Sequence, residues 1–270
     1  MAQRRIEYQS HFFDISYEKL FADSMRGATH TESSHIESSA AQGTLDSIAD
    51  AKSVQSIVFL HGWGSNKDIM KMAFGQCFRD YEHIYVDMPG FGNSPNDTIL
   101  RTQDYAQIIK DFLRAINSPA IKDCIFVGHS FGGKVALLCE PKELILLSSA
   151  GIRVPKSLKV RCKIALAKIC NKLGLSAFGK IFRSSDVSAM NEAMYATFKN
   201  VVDEDFSSFF SAYEGRASIF WGKDDSATPL ASGKQIANLI KNSRFFAMEG
   251  GHYFFLEQGK QIENLYRGVA

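Results

Sequence analysis

Short apolar runs alternate with longer amphipathic segments from residue 54 onward, and this rhythm constrains the fold more than any other feature of the chain. The runs are rich in β-branched and aromatic residues, which is typical of strands buried on both faces. They are SIVFL (56–60), HIYVD (83–87), CIFVG (124–128), ELILLS (143–148), ASIFW (217–221) and SRFFAM (243–248). Between them, segments such as 103–116 place their apolar residues on one helical face. The alternation predicts an α/β fold whose mainly parallel sheet is covered by helices on both faces.

Three segments depart from this rhythm. Residues 6–20 alternate polar and apolar positions, which predicts one or two antiparallel strands. Residues 22–53 contain seven serines and no aromatic residue, so we predict a mobile insertion between two strands. Residues 152–213 look helical and contain no strand pattern, so we predict an inserted helical cap. The core is then expected in two parts, residues 1–151 and 214–270.

Composition narrows the class of protein. Of the 270 residues, 45% are hydrophobic and 22% are charged, as in ordinary globular domains. The two arginines near the start precede no apolar run, and no stretch approaches a membrane span, so we expect no secretory signal, no transmembrane segment and a cytoplasmic location. The five cysteines include no CxxC pair, which argues against a disulfide framework or a thiolate zinc site.

The motif GHSFG (128–132) lies between an apolar strand pattern and a helical segment. A serine in such a strand-to-helix turn is held in a strained conformation, and glycines around it avoid collisions with neighbouring backbone. Gly128 and Gly132 meet that requirement, so Ser130 is the candidate nucleophile. The alternative is a tight turn whose serine merely caps the following helix.

A competing motif shares these residues. Residues 128–134 also read GxxxxGK, which is most of a phosphate-binding loop. Val135 stands where that loop needs a hydroxyl for Mg²⁺, so we reject a nucleotide site. Lys134 is then expected to be a solvated residue on the first turn of the helix.

A serine nucleophile needs a base, and the base needs an acidic partner that fixes its tautomer. His252 follows the last predicted strand and is the candidate base, whereas the other histidines lie in positions that are more often structural. The segment WGKDDSATP (221–229) offers the acid. Spacing alone does not choose between Asp224 and Asp225, and the other aspartate is expected to be a turn or capping residue.

These motifs together resemble the α/β-hydrolase family. The matching segments are HGWG (61–64), DMPGFGNS (87–94), GHSFGG (128–133) and WGKDDSATP (221–229). The resemblance covers nearly the whole chain outside the insertion, and the order serine, aspartate, histidine is that of the family. It selects Asp225 as the acid and implies that the backbone amides of Trp63 and Phe131 form the oxyanion hole. It implies no metal and no organic cofactor.

The resemblance implies a serine hydrolase that cleaves a carboxylic ester or thioester of a small or acyl-chain substrate through an acyl-enzyme. HGWGSN (61–66) is similar to the HGWGxN of carboxylesterases that act on methyl esters of acyl-carrier-protein intermediates. A first alternative is a carbon–carbon bond hydrolase acting on ring-fission dienoates, although the chain lacks the HGxGPG loop of those enzymes. A second alternative is a catalytically inactive binding module. The chain retains all the expected site residues, which argues against this alternative.

Partners are suggested only by the cap. Residues 153–183 contain nine Lys or Arg and no Asp or Glu, and residues 158–173 form a basic amphipathic pattern. An anionic carrier protein or an anionic membrane surface would fit this helix, but we favour a cap helix packed on the core with solvated lysines. Phe206, Phe209 and Phe210 line an acyl pocket in one interpretation and form a core stripe in the other. We expect a small-molecule or acyl substrate and no nucleic acid.

Overall fold

One eight-stranded sheet forms the centre of the protein. The computed structural model describes residues 2–22, 55–153 and 191–269. The strands are β1 Ala2–Tyr8, β2 His11–Leu20, β3 Ser56–Leu60, β4 Glu82–Val86, β5 Ile125–His129, β6 Glu143–Leu147, β7 Arg216–Gly222 and β8 Ser243–Met248. Each of the six predicted apolar runs coincides with a strand to within one or two residues, so the predicted fold class is confirmed.

The strands lie in the order β1-β2-β4-β3-β5-β6-β7-β8. Strands β3 to β8 pair in parallel, and the hairpin of β1 and β2 adds an antiparallel edge through the pairing of β2 with β4. The alternation over residues 6–20 therefore corresponds to two antiparallel strands. Parallel neighbours bring their carboxyl ends to one edge of the sheet, where α/β proteins commonly bind ligands.

The described part of the chain contains seven α-helices. They are α1 Lys67–Phe74, α2 Thr102–Ala115, α3 Phe131–Cys139, α4 Glu192–Val201, α5 Ser207–Ala212, α6 Leu230–Leu239 and α7 Phe255–Arg267. Side-chain caps fix several starts. The Asn66 side chain accepts a hydrogen bond from the Asp68 amide at 3.0 Å, and the Asn191 side chain accepts one from Met194 at 2.7 Å.

The core consists of two apolar layers, because successive residues of a strand point to opposite faces. Val58 and Ile84 pack with α2 and α3 on one face. Phe59 and Tyr85 pack with α1 and α7 on the other. Each fully buried large side chain contributes about 1.5–3 kcal/mol relative to exposure, so the central strands are fixed on both sides.

The described part of the predicted cap consists of α4 and α5. Phe206 and Phe210 are buried in the core, whereas Phe209 is 38% exposed, so the core interpretation holds for the first two. The predicted insertion (residues 22–53) lies outside the described residues except for Ala22, and so does the basic segment 158–173. The domain boundaries remain predictions. None of the helices described is both long and apolar enough to cross a membrane.

Candidate active site

Four loops at the carboxyl edge of the sheet carry the candidate residues. The HGWG segment follows β3, Ser130 follows β5, Asp225 follows β7 and His252 follows β8. These loops are distant in sequence but adjacent in space, because parallel strands end at the same edge. The sheet topology therefore brings together candidate residues that the sequence identified only individually.

Ser130 occupies a strained turn between β5 and α3. Its backbone has φ 50° and ψ −114°, a conformation that residues other than glycine rarely adopt. The Ser130 amide donates to the Leu147 carbonyl at 3.1 Å, and the Ser130 carbonyl accepts from the Ala150 amide at 3.0 Å. The side chain makes no capping hydrogen bond to α3, so the helix-cap interpretation is wrong. Strain of about 1–3 kcal/mol at such a residue is typical of functional sites.

Glycines make this turn possible because the backbone packs without room for a side chain. A Cβ on Gly132 would lie 2.4 Å from the Leu60 carbonyl oxygen, and one on Gly128 would lie 2.6 Å from the Gly132 carbonyl oxygen. Both distances are far shorter than a van der Waals contact. The elbow and the end of β3 are therefore held in direct backbone contact.

Asp225 and His252 are joined by a hydrogen bond of 2.8 Å between Oδ2 and Nδ1. The Asp225 side chain is fully buried and that of His252 is 17% exposed. The second carboxylate oxygen of Asp225 accepts from the backbone amides of Ala227 and Thr228 at 2.8 and 2.9 Å. Because a carboxylate can only accept here, Nδ1 of His252 carries a proton, and this tautomer leaves Nε2 as the ring's acceptor.

The charge state of Asp225 follows from its partners. Burial by itself raises the pKa of Asp225, but the hydrogen bonds from His252 and Thr228 outweigh it and hold that pKa well below its usual range. Asp225 is therefore an anion facing the imidazole. Asp224 is exposed, and its amide donates to the Gly250 carbonyl at 3.0 Å. The structure thus separates two adjacent aspartates that the sequence pattern left equivalent.

His129, the residue before Ser130, contacts the loop that carries His252. Its Nε2 donates to the His252 carbonyl oxygen at 3.1 Å, and the two rings lie 4.6 Å apart. Burial lowers the pKa of His129 to about 3, so this ring is neutral. Nothing in the sequence pattern marks this contact, because the two residues are brought together only by the sheet.

His61 fixes the HGWG loop. Its Nδ1 donates to the Gly62 carbonyl at 2.8 Å and its Nε2 accepts from the Met88 amide at 3.1 Å, which determines the tautomer. Burial lowers the pKa of His61 to about 4. The loop is therefore tied to the turn after β4 by a neutral imidazole.

A cavity of about 340 Å³ opens beside Ser130. The indole of Trp63 packs against the ring of Phe131 at 5.4 Å and against that of Phe198 at 5.3 Å. Among the hydrogen bonds of the described residues, none uses the backbone amide of Trp63 or Phe131. Residues lining the cavity include Trp63, Ser130, Phe131, Lys134, Phe198, Val201, Val202, Glu204 and Thr228.

Lys134 corrects one expectation. Its side chain is 2% exposed rather than solvated, because α3 is buried along almost its whole length, where it packs against α2, the central strands and α5. Its ammonium bonds to the Val201 carbonyl and the Glu204 carboxylate. No pattern in the sequence indicates this burial, since a lysine in a first helical turn is normally at the surface.

A mostly parallel sheet with a serine at a strand-to-helix elbow and a histidine loop at the same edge is typical of α/β hydrolases. The alpha/beta hydrolase family matches residues 57–264, well over half of the chain. The chain belongs to this family.

The curated relatives match this chain over a shorter stretch than the family does. A 2-succinyl-6-hydroxy-2,4-cyclohexadiene-1-carboxylate synthase from Klebsiella pneumoniae is 33% identical over 88 residues, which are 32% of this chain and 33% of that protein. The chain thus matches about a third of the length of this curated relative.

Solved structures match over far more of the chain. An esterase from Exiguobacterium antarcticum has a TM-score of 0.65 at 21% identity, covering 95% of this chain and 96% of that one. A meta-cleavage product hydrolase from Pseudomonas fluorescens has a TM-score of 0.62 at 15% identity, covering 98% and 96%. At these identities the likeness shows the fold.

Proposed function

We propose that this α/β hydrolase is a serine hydrolase that cleaves a carboxylic ester or thioester through an acyl-enzyme. The observation that carries the proposal is the hydrogen bond between buried Asp225 and His252, on the same sheet edge as strained Ser130. In this assignment Ser130 is the nucleophile, His252 the general base and Asp225 the residue that orients and stabilises the imidazolium.

The reaction begins when the Ser130 hydroxyl oxygen attacks the acyl carbon and its proton moves to Nε2 of His252. The carbonyl oxygen becomes an oxyanion, and the proposed donors to it are the backbone amides of Trp63 and Phe131, which no hydrogen bond among the described residues uses. His252 then returns the proton to the departing alkoxide or thiolate. Water, deprotonated by His252, attacks the acyl-enzyme and releases the acid and Ser130.

The cavity supports a modest acyl group. Its volume of about 340 Å³ is at the lower end of the usual range for ligand pockets. Trp63, Phe131 and Phe198 give it an apolar aromatic wall. These aromatic side chains favour an apolar acyl portion against that wall, although charged residues such as Lys134 and Glu204 also line the cavity.

The test is labelling with a fluorophosphonate, followed by location of the adduct by mass spectrometry. We expect an adduct on Ser130 that is lost in Ser130→Ala and strongly reduced in His252→Ala. Folded protein without any adduct would contradict the enzyme assignment and favour an inactive binding module.

A substrate panel then separates the chemistries. It contains p-nitrophenyl esters, acyl thioesters and a ring-fission dienoate. Hydrolysis of esters or thioesters supports the proposal, whereas turnover of the dienoate alone would transfer the assignment to carbon–carbon bond hydrolysis.

A further inference from the structure

Lys134 is a buried cation close to the nucleophile. It lies one helical turn after Ser130 on α3 and lines the same cavity. Burying an ammonium is costly unless charge and hydrogen-bonding partners compensate for lost water. The partners of the Lys134 ammonium therefore indicate its role.

The ammonium of Lys134 makes two hydrogen bonds and lies near two aromatic rings. It donates to the carbonyl of Val201, the last residue of α4, and to Oε2 of Glu204 at 2.9 Å. It also lies 5.5 Å from the ring centre of Phe131 and 4.9 Å from that of Phe206. A cation at this carbonyl also complements the negative end of the α4 dipole.

Glu204 extends the contact to a third helix. Its Oε2 also accepts a hydrogen bond from the hydroxyl of Thr102, the first residue of α2, which is fully buried. One carboxylate oxygen thus joins α2 and α3 to the segment that follows α4. A carboxylate shared by two donors holds this segment more firmly than an exposed ion pair would.

The segment held in this way forms part of the cavity wall. Residues 201–204 all line the cavity beside Ser130. The amide of Phe206 donates to the Gly151 carbonyl at 2.8 Å, which ties the far end of the segment to the core. The contacts of Lys134 and Glu204 therefore tie this wall to α3, the helix that begins directly after Ser130.

We propose that Lys134 and Glu204 form a latch that positions the 201–204 wall and thereby determines which acyl groups the cavity accepts. This inference rests on the proposed function for its substrate. Lys134 is a positioning residue in this proposal, because the two hydrogen bonds of its ammonium go to residues of the wall itself. Glu204 acts through the same wall.

The experiment compares three single variants. Lys134→Met removes the latch while keeping a long side chain, and Thr102→Val removes only the hydroxyl donor to Glu204. Lys234→Met is the matched control, because Lys234 is an exposed lysine on α6. The double variant Lys134→Met/Glu204→Gln removes both charges together and serves if the single variant does not fold.

Two readouts are measured on each protein. Amide hydrogen exchange of residues 191–206 reports the wall itself and needs no catalysis. The ratio of kcat/KM for p-nitrophenyl octanoate to that for p-nitrophenyl butyrate, per Ser130 titrated with fluorophosphonate, reports acyl preference. A lysine that merely stabilised the fold would lower both rates together and leave this ratio unchanged.

We expect Lys134→Met to exchange about tenfold faster over residues 191–206. Its acyl ratio should change by about 10- to 100-fold, since small misplacements of a pocket wall have effects of that size. Thr102→Val should lie between Lys134→Met and wild type, and Lys234→Met should match wild type.

Unchanged exchange in a folded latch variant would overturn the latch. Faster exchange with an unchanged ratio would overturn its role in specificity. If wild-type protein neither labels nor hydrolyses any ester, the proposed function and the acyl preference fall together, while the exchange data still decide whether the latch exists.

Discussion

Lys67 and Asp87 form a buried ion pair, with Nζ 2.7 Å from Oδ2 and no more than 1% of either side chain exposed. Asp87 also accepts from the backbone amides of Lys67 at 2.7 Å and Asn93 at 3.0 Å. It thereby ties the start of α1, just after the HGWG loop, to the turn after β4. Gly92 completes the contact, because a Cβ there would lie 2.3 Å from the Asp87 carboxylate carbon.

Replacing Asp87 by Asn should destabilise the protein by about 3–5 kcal/mol, because the buried ammonium of Lys67 then loses its buried counter-charge. The measurement is the free energy of unfolding in urea. Asp68→Asn is the control, since Asp68 lies 3.9 Å from the same ammonium but is 63% exposed. It should change stability by less than about 0.5 kcal/mol. Equal effects of the two variants would show that burial of the pair is not what matters.

Asp225→Asn should lower kcat for an accepted ester by about 10³- to 10⁴-fold. The amide can still accept from the Ala227 and Thr228 backbone, but its NH₂ group would face Nδ1 of His252 and favour the wrong tautomer. Asp224→Asn, at the exposed neighbour, should remain within about threefold of wild type. Steady-state kinetics of both variants decide the matter, and similar rates would remove Asp225 from the proposed triad.

Gly132→Ala should destabilise the fold by about 1–3 kcal/mol or more and reduce labelling of Ser130. The added methyl would meet the carbonyl oxygens of Leu60 and His61 at 2.4 and 2.5 Å, and both belong to backbone that cannot swing aside. Gly251→Ala is the matched control, because its nearest neighbour would be 3.9 Å away. Thermal unfolding and adduct yield are measured together, and a well-folded, fully labelled Gly132→Ala would contradict the close packing of the elbow.

Stability should fall as the pH drops below about 6.5. Burial lowers the pKa of His61 to about 4 and that of His129 to about 3, whereas both titrate near 6.5 when unfolded. Between the folded and the unfolded pKa values, the histidines are protonated in the unfolded state and neutral in the folded state. The contribution of the two neutral histidines to the free energy of unfolding is thus fully present above pH 6.5. As the pH falls below 6.5, it is lost at up to about 1.4 kcal/mol per pH unit for each histidine.

Urea unfolding at about pH 7, 6 and 5 measures this slope. His129→Gln should flatten it by one histidine's share, whatever its effect on stability at neutral pH. His11→Gln, at an exposed position, is the control and should leave the slope near that of wild type. A slope that His129→Gln leaves unchanged would contradict the neutral, buried state of His129.

The sequence by itself determined the sheet, the order of its parallel strands along the chain and the elbow around Ser130. These features depend on short stretches of chain, because the period of the apolar residues and the spacing of the glycines are patterns of a few consecutive residues. The motifs also identified His252 as a candidate base and Asp224 and Asp225 as candidate acids. Local sequence pattern could not show which of these side chains contact one another.

Tertiary structure decided the rest. It buried Asp225 against His252 and left Asp224 exposed, joined His129 to the His252 carbonyl, and placed Lys134 beneath the cavity instead of in water. Each of these outcomes depends on a partner far away in sequence, brought close only when parallel strands align their carboxyl ends. A residue's charge state and burial are set by such neighbours, which local periodicity does not encode.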